Sequence, residues 1–455
     1  MGASAWAQDA PAAASQDQSG GEAAQQPQTE YGGPSLLNRG EAPSVLRGGE
    51  VARFHPFLGA TATYLSDTSG SGVDQEGNPV YQSAYGFSGM FGVTGSHLWP
   101  HSELDVDYHG YYRDYSESSL GLGRSLDNSL NLSLQHQLSP RLSFTLTENL
   151  ARIRGSYSLP LGNLYGGGTS AFNPLYNALT ANDLLLTPTL TSVSVARVVY
   201  QMTERLSVSA GGTGIISRQH LTETIGANGY VADGDIAYRL TRYQTVSFGY
   251  SFTHFDYKGQ FGGSDMHGIG LSYSLRLGRY WELGATAGLS RAETVGDTTV
   301  TLDPVLAQLL GFDTVFERVH DVFYMPSGAF HLTRSFRRAN WSANYERSVV
   351  AGAGLYTTST YETAASTYSY SGLRRLTLDA GGGYYRYSPL DQSLGRYRAF
   401  GLSGGFTMPV GKGFSSVGRI DWRHYAISSS NVDRQGYTAS LGFSWSPGSY
   451  PVSIW

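Results

Sequence analysis

The stretch Ser125–Leu138 reads SLDNSLNLSLQHQL. Leu126, Leu130, Leu132, Leu134 and Leu138 share one parity, and Asp127, Ser129, Asn131, Ser133, Gln135 and Gln137 share the other. Successive side chains of an extended chain leave the backbone on opposite sides, so this is a strand with an oily face and a wet face. In a two-sheet sandwich the leucines would meet a core and the polar row would meet water. In a cylinder closed within hydrocarbon the leucines would meet lipid and the polar row an interior. One strand fits both, and the rest of the chain decides.

The 455 residues include 58 Gly and 32 Tyr, with 13% aromatic and only 15% charged side chains. Mean hydropathy is −0.25. No run approaches the roughly 18 apolar residues of a spanning helix, so any membrane crossing has to be made by strands. The net charge of −5 and the absence of a basic cluster argue against a nucleic-acid partner. Without cysteine there are neither disulfides nor thiolate metal sites, and the 11 histidines lack ligand spacing, so no metal and no cofactor is expected.

Near the start, Ala5-Trp6-Ala7 followed by Gln8 has the small-x-small form of a signal-peptidase site. Residues 1–7 therefore read as the remnant of a cleaved export signal. Residues 8–53 are rich in Ala, Gln, Gly, Pro and Ser and read as a flexible segment. Within it Pro34–Gly40 is echoed by Pro43–Gly48, a linker with two turns or a short docking peptide.

From Phe54 onward about eighteen segments of roughly ten to fourteen residues alternate, the length of tilted membrane-spanning strands. They run from 54–65 and 84–97 through 413–426 to 433–445. Even-numbered segments are followed by tight turns, such as Leu138–Arg141, Met202–Arg205, Leu240–Tyr243, Leu277–Tyr280 and Val410–Gly413. Odd-numbered ones are often followed by longer connections, including Gly155–Pro188 and Val295–Arg318. A sandwich has no reason to segregate turn lengths in this way, whereas a membrane barrel has short turns on one rim and long loops on the other. Tyr243, Tyr280, Trp281, Trp341 and Trp422 lie close to segment ends, as an interfacial girdle requires.

The last segment carries the most specific motif. Tyr437, Ala439, Leu441, Phe443 and Trp445 alternate with small residues up to an aromatic end. This resembles the closing strand of Gram-negative outer-membrane β-barrels, the signal read by the barrel assembly machinery. Tyr437, Leu441, Phe443 and Trp445 are its carriers here. Residues 446–455 follow, and Pro447 and Pro451 break the alternation, so closure is placed at Trp445 with a tail beyond it. The resemblance implies a bacterial outer-membrane location. The expected fold is all-β, a closed antiparallel transmembrane β-barrel of about 18 strands over 54–445, with short periplasmic turns and long extracellular loops.

Parity then names an inward row: Glu103, Asp105, Asp107, His109, Arg113, Asp127, Asp235, Arg239, Arg276, Glu282, Asp379, Arg419, Asp421 and Arg423. Its charges are mixed, so ion selectivity should be weak, and the same pairs would also stiffen a polar wall. Asn173–Leu179 and Asp303–Gly311 each set an Asx cap before a first-turn proline and read as short helix starts in the loops. His254 with Asp256, and His101 with Glu103, share strand faces but lack a nucleophile motif, so an enzyme is not expected. A siderophore-type receptor is disfavoured because the first fifty residues are too short and too polar for a plug. Three functions remain: a porin-like channel for small hydrophilic solutes, an exporter of an exopolysaccharide, or a structural or adhesive barrel with a blocked lumen. The partners are outer-membrane lipid, the assembly machinery and the solute or polysaccharide.

Overall fold

The computed structural model describes residues 51–66, 83–116, 124–154, 188–219, 226–257, 262–301, 314–351, 358–390, 395–428, 432–447 and 450–453. Residues 1–50, with the signal remnant and the Pro34–Gly48 echo, lie outside the described residues, as do both loop segments read as helix starts and Trp455.

Among the described residues the strands in chain order are β1 (Val51–Ser66), β2 (Ser83–Trp99), β3 (Ser102–Tyr115), β4 (Ser125–Ser139), β5 (Leu142–Arg154), β6 (Pro188–Gln201), β7 (Leu206–Gln219), β8 (Ala227–Thr241) and β9 (Gln244–Tyr257). They continue with β10 (Gly263–Leu277), β11 (Trp281–Thr301), β12 (Thr314–Ser335), β13 (Ala339–Ala351), β14 (Thr358–Leu373), β15 (Leu376–Pro389), β16 (Tyr397–Gly411), β17 (Phe414–Ile427), β18 (Val432–Trp445) and the short β19 (Tyr450–Ser453). Each of the first eighteen pairs antiparallel with its neighbours, and β1 closes on β18 from Leu58 opposite Trp445 to Ser66 opposite Tyr437. Closure pairs each of the eighteen strands on both sides, so through the belt the wall satisfies its own amides without water.

The turn chemistry explains the short rim. Thr203 Oγ1 accepts from the backbone N–H groups of Arg205 and Leu206 at 3.2 and 3.0 Å, and Thr241 Oγ1 accepts from that of Tyr243 at 3.2 Å. A hydroxyl at the first turn position mimics a backbone turn. Two other turns use glycine at positive φ, Gly278 at 65° and Gly413 at 75°.

Direct cross-strand pairing sorts the side chains. On the outer face Leu126, Ile236, Phe248, Leu271, Leu402, Leu441 and Phe443 are all about half exposed, as a lipid-facing belt should be in the absence of lipid. In the opening segment Leu126 and Leu138 are exposed on this face, while Asp127 on the other is buried. The glycine and aromatic excess is also resolved by pairing. The Phe91 ring lies over Gly110, Phe57 over Gly92, Phe406 over Gly418 and Phe255 over Gly229, each directly across the strands. A ring covering a glycine restores the packing that the missing side chain would have supplied.

Two departures from the sequence reading, and one break in the ladder, stand out. The Val295–Arg318 connection is largely strand, because β11 and β12 stay paired up to Thr301 opposite Thr314. Its threonines and valines alternate well enough to hold a hairpin above the belt, where water also satisfies an edge. The wall begins at Val51, and residues 450–453 of the tail pair with Val51–Phe54. Pro451 is tolerated there because β19 is an edge strand. Finally, β12 pairs with β13 only from Gly328 opposite Arg347 to Ser335 opposite Asn340. Pro326, which offers no N–H, lies two residues beyond the last pair.

One carboxylate interrupts the belt. Glu148 lies between Leu146 and Leu150 on the outer face of β5, opposite Leu132 and Ser194, and the hydroxyls of Ser192 (2.9 Å) and Ser194 donate to it. In hydrocarbon the serines only offset the desolvation of this group. Glu148→Leu is therefore expected to raise unfolding stability in lipid vesicles by about 1 kcal/mol. Denaturant titration followed by tryptophan fluorescence checks this, and the Ser192→Ala, Ser194→Ala double variant should shift the midpoint the other way.

Candidate functional site: the inner face and its constriction

The pairing register puts all fourteen residues of the expected inward row on the face opposite the exposed belt. On β3, Glu103, Asp105, Asp107, His109 and Arg113 lie opposite Gln135, Ser133, Asn131, Ser129 and Ser125 of β4, and Asp127 lies opposite Tyr111. Asp235 and Arg239 lie opposite Gly249 and Thr245, and Arg276 lies opposite Glu282. Asp379 is opposite Gly405, which is opposite Arg419 in turn, while Asp421 and Arg423 face Ser403 and Gly401.

Arg113, Asp127, Asp235, Asp379, Arg419 and Asp421 enter three networks. The Arg113 guanidinium bonds Asp127, with both side chains under a tenth exposed. Arg419 Nε donates to Asp421 at 2.8 Å, and Arg419 Nη1 reaches Asp379 at 3.9 Å. The third centres on Arg197 of β6, which donates to Ser209 at 2.7 Å, to Asp235 at 3.0 Å and to Asp233. Arg197 and Asp233 were missed in the sequence reading, although the alternation of SVSVARVVYQ carries the parity that would have found Arg197. In contrast, Glu103 and Asp105 have no ion pair among the described residues, and Asp107 contacts His109. The lower wall of β3 is thus an acidic stripe.

Toward the long-connection rim the interior is packed. Val349 of β13 and Thr358 of β14 have the parity of the exposed Tyr345 and Tyr368, yet they are 6% and 2% exposed. Val349 belongs to a cluster with Val231, Phe255, Tyr257, Met266 and Ala292, which come from the inner faces of β8 to β11. Tyr257 Oη and Thr358 Oγ1 are 3.1 Å apart, joining β9 to β14 across four intervening strands. An outer face can meet an inner face only if the upper end of the β13–β14 pair has folded inward, and the β12–β13 ladder releases it near Pro326. Beside it Tyr361, Tyr387 and Tyr397 form a run of buried rings at 4.8 and 6.1 Å. At the opposite end Asp105 and Arg276 are exposed. The interior is open at the short-turn half and narrowed at the other.

The remaining candidates sort by position. Tyr243 and Tyr280 are exposed in the short turns, and Arg242 lies 4.7 Å over the Tyr243 ring. Trp281 and Trp341 meet edge to face at 6.4 Å on the same rim, with Arg334 4.7 Å over Trp281. Trp422 lies well into β17, stacked on His424 at 6.4 Å and nearer the other rim. Tyr437, Leu441 and Phe443 face outward at 50–60% exposure, and Trp445 packs beside Phe414 at the seam. His254 bonds Asp265 at 2.7 Å rather than Asp256, and His101 sits in the β2–β3 turn.

No family model matches this sequence, and no curated protein is found similar to it. Among solved structures it is similar to OpdQ of Pseudomonas aeruginosa, at 11% identity over 88% of this chain and 98% of that one, with a TM-score of 0.42. A BenF-like porin of Pseudomonas fluorescens Pf-5 shows 11% identity over 89% and 99%, with a TM-score of 0.41. OccK2 (OpdF) of Pseudomonas aeruginosa, solved in complex with glucuronate, shows 10% over 86% and 98%, also at 0.41. At such scores the closed sheet described above stands on its own strand pairing.

Removing one member of a buried ion pair strands the other charge. Arg113→Ala should cost about 3 kcal/mol, while Arg113→Met combined with Asp127→Leu should recover most of it. Denaturant midpoints of the two variants in the same detergent check the difference.

Proposed function

We propose that this chain is an outer-membrane channel that passes small hydrophilic solutes by diffusion, with its long connections outside the cell and its short turns in the periplasm. The observation that carries the reading is a closed eighteen-strand wall whose inner face carries charged and polar side chains through its short-turn half. Cylinders of this size enclose enough width for water. The fourteen parity residues, Arg197 and Asp233 then act as lumen lining. Tyr243, Tyr280, Trp281 and Trp341 anchor the periplasmic interface, and Tyr437–Trp445 is the stretch the assembly machinery would engage after export.

Among the described residues the inner carboxylates Glu103, Asp105, Asp107, Asp127, Asp233, Asp235, Glu282, Asp321, Glu346, Asp379 and Asp421 outnumber the arginines 113, 197, 239, 276, 419 and 423. That excess supports a modest cation preference, which gives a sign to the weak selectivity expected from the mixed row. The inward-folded β13–β14 end supports a second reading, a lumen that conducts only when this pair swings back. A polysaccharide exporter would need such movement, and a structural or adhesive barrel would keep the mouth shut.

Planar-bilayer recording separates these. Small cation-preferring steps are expected, and the Glu103→Gln, Asp105→Asn, Asp107→Asn variant should bring the reversal potential in a salt gradient closer to zero. Tyr257→Ala with Thr358→Ala should raise conductance at least twofold. Steps only in the double variant support the gated reading, and silence in both contradicts a channel.

A further inference from the structure

The outer face carries a row of charge that permeation does not use. Arg347 of β13 lies directly opposite Glu362 of β14, Glu362 opposite Arg386 of β15, and Arg386 opposite Arg398 of β16. Adjacent strands lie ~4.8 Å apart, so the four side chains line up across ~15 Å. They share the parity of the exposed Tyr345, Tyr368, Leu378 and Phe400 and therefore face outward.

The row is cationic. Its one carboxylate, Glu362, accepts from Tyr345 Oη at 3.0 Å and meets Arg386 at 3.6 Å. Arg398 is exposed and has no ion pair among the described residues. Three guanidiniums around one carboxylate leave positive charge on a surface where the wall below is apolar.

Height decides what meets it. Arg386 is ten residues above Leu376 at the short-turn rim. With a rise of ~3.3 Å and a tilt near 40°, that is ~25 Å, the height of the apolar band of such a barrel. Arg386 sits where hydrocarbon gives way to headgroups on the long-connection side, and the strand tilt spreads the row over ~9 Å about that height, within the headgroup zone. One step below it, the Tyr384 and Phe400 rings lie 4.8 Å apart and tilted at 43°, an aromatic pair at the boundary where such rings favour lipid contact.

We propose that Arg347, Arg386 and Arg398 bind the phosphate groups of a phosphorylated outer-leaflet lipid whose chains lie along the belt beneath. A guanidinium presents paired N–H donors that match phosphate oxygens, and planar forks fixed on one paired sheet hold them without reordering the backbone. Glu362 spaces the arginines and opposes the phosphate. The assignment rests on the outer-membrane orientation proposed above.

The test is native mass spectrometry and detergent titration of the full chain with bis-phosphorylated lipid A, with its enzymatically dephosphorylated form, and with inorganic phosphate. The phosphorylated lipid should be retained, and the dephosphorylated form should bind at least tenfold more weakly. Arg347→Gln, Arg386→Gln, Arg398→Gln together should lose at least tenfold, and Glu362→Gln should tighten binding. Should the triple variant fail to fold, Arg398→Gln alone, at an exposed side chain, should still lose threefold. Equal binding of both lipid forms, unchanged binding in the arginine variants, or displacement by millimolar inorganic phosphate would overturn the proposal. The outcome is separable from the channel reading: a chain that never conducts but retains the phosphorylated lipid refutes the channel alone, and a conducting chain with no phosphate-dependent binding refutes this site alone.

Discussion

An unpaired backbone amide in hydrocarbon costs several kcal/mol, and that constraint organises this chain. It requires the sheet to close, and closure turns a two-faced strand into a wall with lipid outside and water inside. The seam between β1 and β18 is where the requirement is met. There Gly442 lies so close to Thr61 and the Ala60 carbonyl that no side chain fits. The tail continues the seam rather than hanging free, since Ser446 donates to the Gly413 and Pro56 carbonyls at 2.8 and 3.2 Å.

The same constraint explains what is unusual in the wall. Charged residues concentrate on the inner face, where carboxylates hold three arginines: Arg113 from the next strand, Arg197 across β7, and Arg419 both along its own strand and across β16. Where strands can leave the ladder, the fold does something other than enclose. The β13–β14 end departs from β12 near Pro326 and packs its outer residues on the opposite inner wall. A narrowing made from the wall itself is tied to the far side by the Tyr257–Thr358 bond and buried apolar contacts, so its position depends on a small number of side chains.

Much of this was legible in the sequence because alternation is a strong signal. The parity of Ser125–Leu138, repeated strand after strand, gave the two faces, and the tight turns gave the direction of each strand. Parity also located charges such as Asp235 and Arg419 without any contact information. What parity does not carry is partnership across strands. That Arg197 gathers Asp233 and Asp235, or that Arg347, Glu362, Arg386 and Arg398 share one row, depends on register, which is a property of pairs. The inward fold was hidden for a further reason. Val349 and Thr358 read as ordinary outward positions, and only the loss of the ladder beside Pro326 turns them inward.

The most direct test of the wall exploits the absence of cysteine, which makes every engineered thiol unique. Spin labels placed singly at Leu130, Ser129, Leu132 and Asn131 of the reconstituted protein would be scored for collision with oxygen, enriched in lipid, and with a nickel chelate confined to water. The account predicts that labels at Leu130 and Leu132 favour oxygen while those at Ser129 and Asn131 favour nickel, with a period of two along β4. Equal accessibility at all four, or leucine positions that collide with nickel, would contradict it.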